Sequence, residues 1–576
     1  MAEDIIEQFD KLYEFDREPV SPDRLQSGRY FAAVFAGEHV AGTEFVIGAL
    51  FVQWGATARD IFLGLLIGNL FAVLSWTLIC APIATQTRLT LYWYLRRIAG
   101  PVVTTFYNIL NAILFCILSG AMITVSASAI RIPFNIPAQT KWYPEDLGFV
   151  LVVIAVGAIV VCLAILGFKR LAQFSSICSP WIFAMFFAGA AAMLPALASK
   201  TSTLGEVHSL ADFWQLAETR IWTGVAPEGI EPLGFWHIVA FAWICNLAMH
   251  IGLSDMALLR YAKHSWYGAY SACGMYLGHY LAWVCAGIMG AATAHLLNRP
   301  LDTLDPGDVA MNALGISGAI AVVLAGWTTS NPTLYRAGLA LQAVTPGWPR
   351  WLVTLIAGIF TTAMACSPFV FTKLLGFVAF YGILLMPVGA IVLVEHWIFP
   401  RIGLTQFWSS RANQLVNWPA LISWAVAIAC SFSMYGFDLL HEFFLAIPIW
   451  LLTAVLYTVL AALAGARSPA MAGLADDRFK ARVPHGSPRS AADLPQAPPV
   501  MDRWHRLRLR LFGLVAVASF FACIGLAIWV FVMGTPGYEE RFESFKSTLL
   551  WVSLVHLASA TLWVVEKERY AEAMQS

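Results

Sequence analysis

Two stretches constrain this chain more than anything else in it: FLGLLIGNLFAVLSWTLICAPIA at 62–84 and LGFVLVVIAVGAIVVCLAILGF at 147–168. Each exceeds the roughly 20 apolar residues that a helix rising about 1.5 Å per residue needs to cross hydrocarbon. Similar spans recur along the chain. Twelve are read up to residue 464, near 31–55, 61–84, 101–127, 147–167, 172–197, 235–258, 266–296, 314–342, 351–367, 371–398, 417–436 and 443–464, and two more near 511–533 and 547–566. Lipid offers no water to unpaired amides, and runs this long and uniformly apolar do not alternate like barrel strands, so each is expected to be a helix. The fold class expected is therefore an all-α integral membrane bundle, with the lipid bilayer as its first partner.

Charge agrees. Only 12% of the 576 residues are charged, against about a quarter in soluble domains, and Lys plus Arg equals Asp plus Glu at 35 each. That balance says nothing about nucleic acid or acidic partners, so distribution is what matters; no nucleic acid is expected as a partner. Arg88, Arg96 and Arg97 follow the second span, Lys169 and Arg170 the fourth, Arg260 and Lys263 the sixth, and Arg401 and Arg411 the tenth. The intervening loops are richer in acids. Basic loops stay inside, which places both termini in the cytoplasm and the protein in the inner (cytoplasmic) membrane. The amino terminus, MAEDIIEQFD, lacks a cleavable signal pattern, so the first span is expected to direct insertion. Cysteines such as Cys80, Cys116, Cys162 and Cys430 fall inside apolar spans and read as small core residues.

An ionisable group in mid-helix costs on the order of 3 kcal/mol, so each one should face a cavity or a partner. The first span, FAGEHVAGTEFVIG, holds Glu38, His39, Thr43 and Glu44 among Gly37, Gly42 and Gly48. Glycines let a helix unwind and expose carbonyls to a cation, so a discontinuous helix at a transport site is expected here. The alternative is that Glu38 and His39 pair with each other or with neighbours and only hold the bundle together. In the sixth span Asn246 and His250 stand four residues apart on one helical face, with Gly252 and Asp255 beyond, which suits a shared cavity. The eighth, LAGWTTSNPTLYRAGLALQ, gathers Thr328, Thr329, Ser330 and Asn331 before Pro332. Hydroxyls beside a helix break are hard ligands for a small cation, although they can equally bond back to their own helix carbonyls.

WTTSNPTLYRAGLALQ resembles the eighth helix of bacterial cytosine permeases. LLIGNL with Gly68 and Asn69, LLRYAK and MPVGAIVLVEHW are similar to other parts of the same family, the nucleobase:cation symporters of the amino acid, polyamine and organocation superfamily. The resemblance covers roughly residues 30–464. It implies a LeuT-like bundle of two five-helix inverted repeats, with broken first and sixth helices flanking the substrate and helices eleven and twelve outside. Domains follow: 1–30 cytoplasmic, 31–398 the transport core, 399–464 helices eleven and twelve, 465–510 a polar cytoplasmic linker, and 511–576 two additional helices and a tail. By carry-over, Thr328 and Thr329 resemble the hydroxyl ligands of a sodium site completed by carbonyls near Gly37, Val40 and Ala325, and Asn331 resembles a polar position close to substrate. The family's third helix usually offers a tryptophan and a glutamine to a base. Here Phe115 and Ala112 align, with Asn108 and Asn111 nearby as substitutes.

The function expected is cation-coupled symport, through sodium, of a small organic solute of the nucleobase or related heterocycle class. The candidate substrate residues are Glu38, His39, Thr43, Asn108, Asn111, Phe115, Asn246, His250 and Asn331. The rivals are proton-coupled transport through Glu38, His39 and His250, and a solute-binding membrane sensor. No enzyme is expected, because no HExxH, nucleophile-elbow or phosphate-loop pattern occurs. No cofactor is expected beyond the coupling ion, and a second copy of the chain is a further candidate partner.

Overall fold

The computed structural model describes residues 14–139, 141–201, 206–368, 374–468 and 503–573. Most of the polar segment expected as a linker, residues 469–502, and the acidic residues 1–13 lie outside the described residues.

Apolar spans become helices throughout. In chain order they are α1 (Gly28–His39), α2 (Glu44–Gln53), α3 (Asp60–Thr87), α4 (Leu91–Ile130), α5 (Leu147–Ile165) and α6 (Phe168–Thr201). There follow α7 (Phe235–Ile244), α8 (Leu247–His250), α9 (Met256–Leu259), α10 (Ser265–Leu297), α11 (Pro306–Leu314) and α12 (Ile316–Val344). The last are α13 (Arg350–Ala365), α14 (Gly376–Arg401), α15 (Trp418–Gly436), α16 (Ala446–Ala466), α17 (Arg503–Val532) and α18 (Tyr538–Ala573). Among the described residues ten helices are long and apolar enough to cross a membrane, and the pair α1 and α2, bent by 53° at its break, makes an eleventh. Strands are absent among the described residues apart from two isolated bridges. Along α3 the exposed Leu63, Leu66, Leu70, Leu74 and Leu78 form a continuous apolar stripe, and α17 exposes Leu511, Leu514, Val517 and Phe521. Such stripes belong against lipid. The protein is a multi-pass membrane protein.

Both expected breaks are present. The first span leaves helical geometry between His39 and Glu44. The sixth divides into α7, α8 and α9, with Leu253 in the left-handed region at φ 66°. Two five-span sets thus each begin with a broken helix, and because five is odd the second set enters from the opposite side, which is what inverts the repeat. In α4 a kink at Gly100, φ 80° ahead of Pro101, lets one helix run on across a bend. The pair α4 and α12 packs along its length and forms the wall opposite the breaks, while α17 and α18 pack on one another and against α6.

Pro332 does not end the eighth helix, as its position had suggested; α12 runs through it from Ile316 to Val344. Pro332 leaves the Thr328 carbonyl without its amide donor, and the carbonyls on either side take side-chain donors: Asn331 Nδ2 to Trp327 at 2.8 Å and Thr333 Oγ1 to Thr329 at 2.8 Å.

Candidate functional site

On α12 the residues Thr329, Thr333 and Arg336 recur at helical spacing and share a face, which lies against the end of α1. Arg336 is 0% exposed, Glu38 2% and Asp255 0%. Arg336 Nη1 donates to Glu38 Oε1 at 2.5 Å and Nη2 to Glu38 Oε2 at 2.9 Å, a bidentate grip. Its Nε donates to Asp255 Oδ1 at 2.9 Å, and Nη2 reaches the same oxygen. Trp76 Nε1, from α3, donates to Asp255 Oδ2 at 2.5 Å. Glu38 sits in the last turn of α1 and Asp255 in the second break. One guanidinium therefore ties both chain breaks to α12. With two carboxylates against one guanidinium, the cluster formally carries one net negative charge inside the bundle, and a buried ionic group persists only when paired and hydrogen-bonded.

Around this cluster lies a polar and aromatic shell. The Arg336 guanidinium carbon is 5.9 Å from the centre of the Phe115 ring. Asn111 Nδ2 lies 3.4 Å from both Ser254 Oγ and Tyr107 Oη. Asn108 Nδ2 donates to the Tyr92 carbonyl at 3.1 Å. The Oδ1 atoms of Asn108 and Asn111 and the Tyr92 hydroxyl are buried without a hydrogen-bond partner among the described residues. Trp76 is faced by His250 at 4.6 Å and by His39 at 5.6 Å between ring centres. His250 Nε2 is 3.0 Å from the Trp243 carbonyl oxygen.

The hydroxyl pair lies two turns from Arg336. Thr329 Oγ1 donates to the Glu38 carbonyl at 2.8 Å and approaches the Ala325 carbonyl at 3.0 Å; Thr328 Oγ1 lies 3.1 Å from that same carbonyl. Hard oxygens from α12 and the unwinding end of α1 thus converge, a donor set that fits a small cation. Among the described residues no three His, Cys, Asp or Glu side chains are grouped to hold a metal.

The expected residues divide. Glu38, His39, Asn111, Phe115 and His250 gather round the Arg336 cluster, with Asn108 beside Tyr92. Thr328, Thr329 and Ala325 meet the end of α1; Val40 lies just beyond it, its amide bonded to the Ala36 carbonyl, whereas a Cβ at Gly37 would meet Ser175 of α6. Asn331 is buried on α12, its Nδ2 bonded to the Trp327 carbonyl and its Oδ1 without a partner among the described residues. Thr43 is buried at the start of α2, and Asn246 stands in the second break with its Nδ2 unpartnered. Glu38 and His39 do not pair with each other, because Arg336 takes the carboxylate. Arg336, Trp76 and Tyr92 are the site residues that sequence reasoning passed over, whereas Asp255 figures there beside Asn246 and His250 without being counted among the candidate substrate residues. Arg336 carried a signal, being a charge within an otherwise apolar helix.

No family model and no curated protein sequence matches the chain. Solved structures do match. Mhp1, a nucleobase-cation-symport-1 family transporter, in a closed conformation with bromovinylhydantoin bound, matches with TM-score 0.60 at 15% identity over 79% of this chain and 96% of that one. A Na+-coupled sialic acid symporter in a substrate-bound outward-open state matches with TM-score 0.56 at 15% identity, over 79% and 95%. Mhp1 in an inward-facing conformation gives 0.55 at 17% identity, over 78% and 96%. At these identities the likeness is one of fold, and the chain has the LeuT-type fold that Mhp1 has.

Proposed function

We propose that this protein is a secondary transporter of the inner membrane, with both termini cytoplasmic, that carries a small organic solute together with a cation. The observation that carries the reading is Arg336: it stands on the helix that bears Thr328 and Thr329 and is held by carboxylates from both chain breaks. A cation arriving at Thr328, Thr329 and the carbonyls of Ala325 and Glu38 offsets the negative cluster and favours closure of α1 on α12. Solute fills the space bounded by Glu38, Phe115, Asn108, Asn111 and Trp76. Opening to the other side separates Glu38 and Asp255 from Arg336, so the cluster works as the link between ion and gate. Sodium is the ion we favour, because the converging ligands are hard oxygens and a structural neighbour is Na+-coupled. The solute class we favour is a nucleobase or related heterocycle, for which Trp76 and Phe115 supply aromatic faces and the asparagine oxygens accept N–H groups.

A second reading is coupling to protons through Glu38, His39 and His250, supported by His39 Nε2 and His250 Nδ1, both buried without partners among the described residues. Thermal-shift measurements on the purified protein with purines, pyrimidines, hydantoins and amines, in sodium chloride and in choline chloride, separate the two. A heterocycle whose stabilisation grows with sodium supports the first reading. Stabilisation indifferent to sodium but dependent on pH supports the second, and a stabilising ligand that vesicles then fail to accumulate would mark a sensor.

A further inference from the structure

The symport reading leaves one buried ionisable pair unused. Glu44, the first residue of α2, is 3% exposed. Its Oε2 accepts from Trp283 Nε1, and its Oε1 lies 3.7 Å from His279 Nε2. The His279 ring lies flat on Trp283, 4.4 Å between centres and 9° between planes, and edge-on to His39 at 5.1 Å. His279 Nδ1 has no partner among the described residues. His279 belongs to a wide π-type turn, Met275–Ala282, inside α10, the kind of local widening that turns a side chain out of register toward a site.

Among the described residues no Lys or Arg side chain forms an ion pair with Glu44. From α1 the group facing the pair is His39, from the end of α7 Cys245, from α8 His250, and from α10 Trp283. Arg336 lies on the far side of His39 and is committed to Glu38 and Asp255. On α11 and the segment before it, which also pack on α2, Asp305 and Asp308 are engaged by Arg131, and Asp308 also by Arg299. Among the described residues the group able to form an ion pair with an ionised Glu44 is a protonated His279 at 3.7 Å, with His39 and His250 beyond it.

We propose that Glu44 and His279 form a proton-binding site, separate from the Arg336 cluster, that holds one proton while α2 is closed on α10. The proton resides on Glu44 Oε1, turned toward His279 Nε2, so that the pair is neutral overall and no other bond changes. Movement of α2 away from α10 parts the two groups and exposes them to water, so proton release accompanies opening. This makes the gating of α2 pH-dependent whether or not sodium is the ion at Thr329.

The test is an infrared titration of the full-length protein in phosphatidylcholine vesicles, in choline chloride with neither sodium nor solute, so that its outcome does not depend on the sodium site. The expected result is a carboxylic-acid C=O band in the wild type that titrates together with a histidine ring signal. The band is lost in Glu44→Gln, and its midpoint moves by at least ~1 pH unit in His279→Gln. Size-exclusion profiles establish that the variants are folded. If Glu44→Gln does not fold, Glu44→Asp must keep the band at a moved midpoint. Superimposable wild-type and Glu44→Gln spectra, or an unmoved midpoint in His279→Gln, would overturn the proposal.

Discussion

Arg336 holds both carboxylate oxygens of Glu38, at 2.5 and 2.9 Å, from a position on α12 that is fully buried. Paired charges in such a place add little net stability, but removing one partner strands the other in low dielectric. Arg336→Ala should therefore lower stability by about 3–5 kcal/mol, read as a reduced melting temperature in detergent. The triple variant Glu38→Gln, Asp255→Asn, Arg336→Met should recover much of that loss while abolishing transport. An Arg336→Ala protein that melts like the wild type would mean that the cluster is not closed in the membrane.

Thr329 Oγ1 lies between the Glu38 and Ala325 carbonyls. Thr329→Ala removes one hard oxygen, and sodium affinity should fall roughly tenfold, the effect of about 1.4 kcal/mol. Thr329→Ser should retain most of it. Sodium titrations of solute binding give the comparison, and an unchanged sodium dependence in Thr329→Ala would remove the hydroxyl pair from the ion site.

Two glycines let neighbouring helices rest directly on the exposed backbone of the breaks. A Cβ at Gly278 of α10 would collide with the His39 carbonyl, and one at Gly389 of α14 with the Ile251 carbonyl. Backbone on both sides leaves no flexible side chain to yield. Gly278→Ala and Gly389→Ala should each cost about 1–3 kcal/mol by overpacking, whereas Gly376→Ala, with open space around it, should be neutral. Melting temperatures of the three variants decide this.

The turn between α17 and α18 is docked by Glu206, whose Oε1 accepts from the Thr535 hydroxyl at 2.7 Å and the Thr535 amide at 3.2 Å. These bonds, with His208 nearby, hold its carboxyl below the ordinary value of 4.5. A lowered folded value means that the stabilisation is complete above 4.5 and fades as pH falls through the folded value. Hydrogen exchange in the 533–537 turn, corrected for intrinsic rates, should be faster at about pH 3 than at about pH 5, and Glu206→Gln should erase the difference.

Much of the architecture was legible because membrane spans declare themselves by length, and the break in the first span because Gly37 and Gly42 stand beside Glu38 and His39. Polar clustering on α12 pointed to the right helix but to the wrong consequence at Pro332, since a proline removes one ladder bond and the helix runs on through it to Val344. The partner of Glu38 was not legible. Arg336 lies 298 residues further along the chain, and only the folding of α12 against α1 brings the two together. His279 stayed hidden for a related reason: the wide turn that aims it at Glu44 has no signature in hydropathy.

In the proposed cycle the Arg336 cluster couples an inward cation gradient to solute uptake. Accumulation of a radiolabelled solute from the ligand screen in vesicles, driven by a sodium gradient, tests it most directly, with choline as control and the Arg336→Met, Glu38→Gln, Asp255→Asn protein alongside. The account predicts uphill accumulation by the wild type in sodium, none in choline, and none by the triple variant. Equal accumulation by the triple variant, or accumulation indifferent to both sodium and pH gradients, would contradict it.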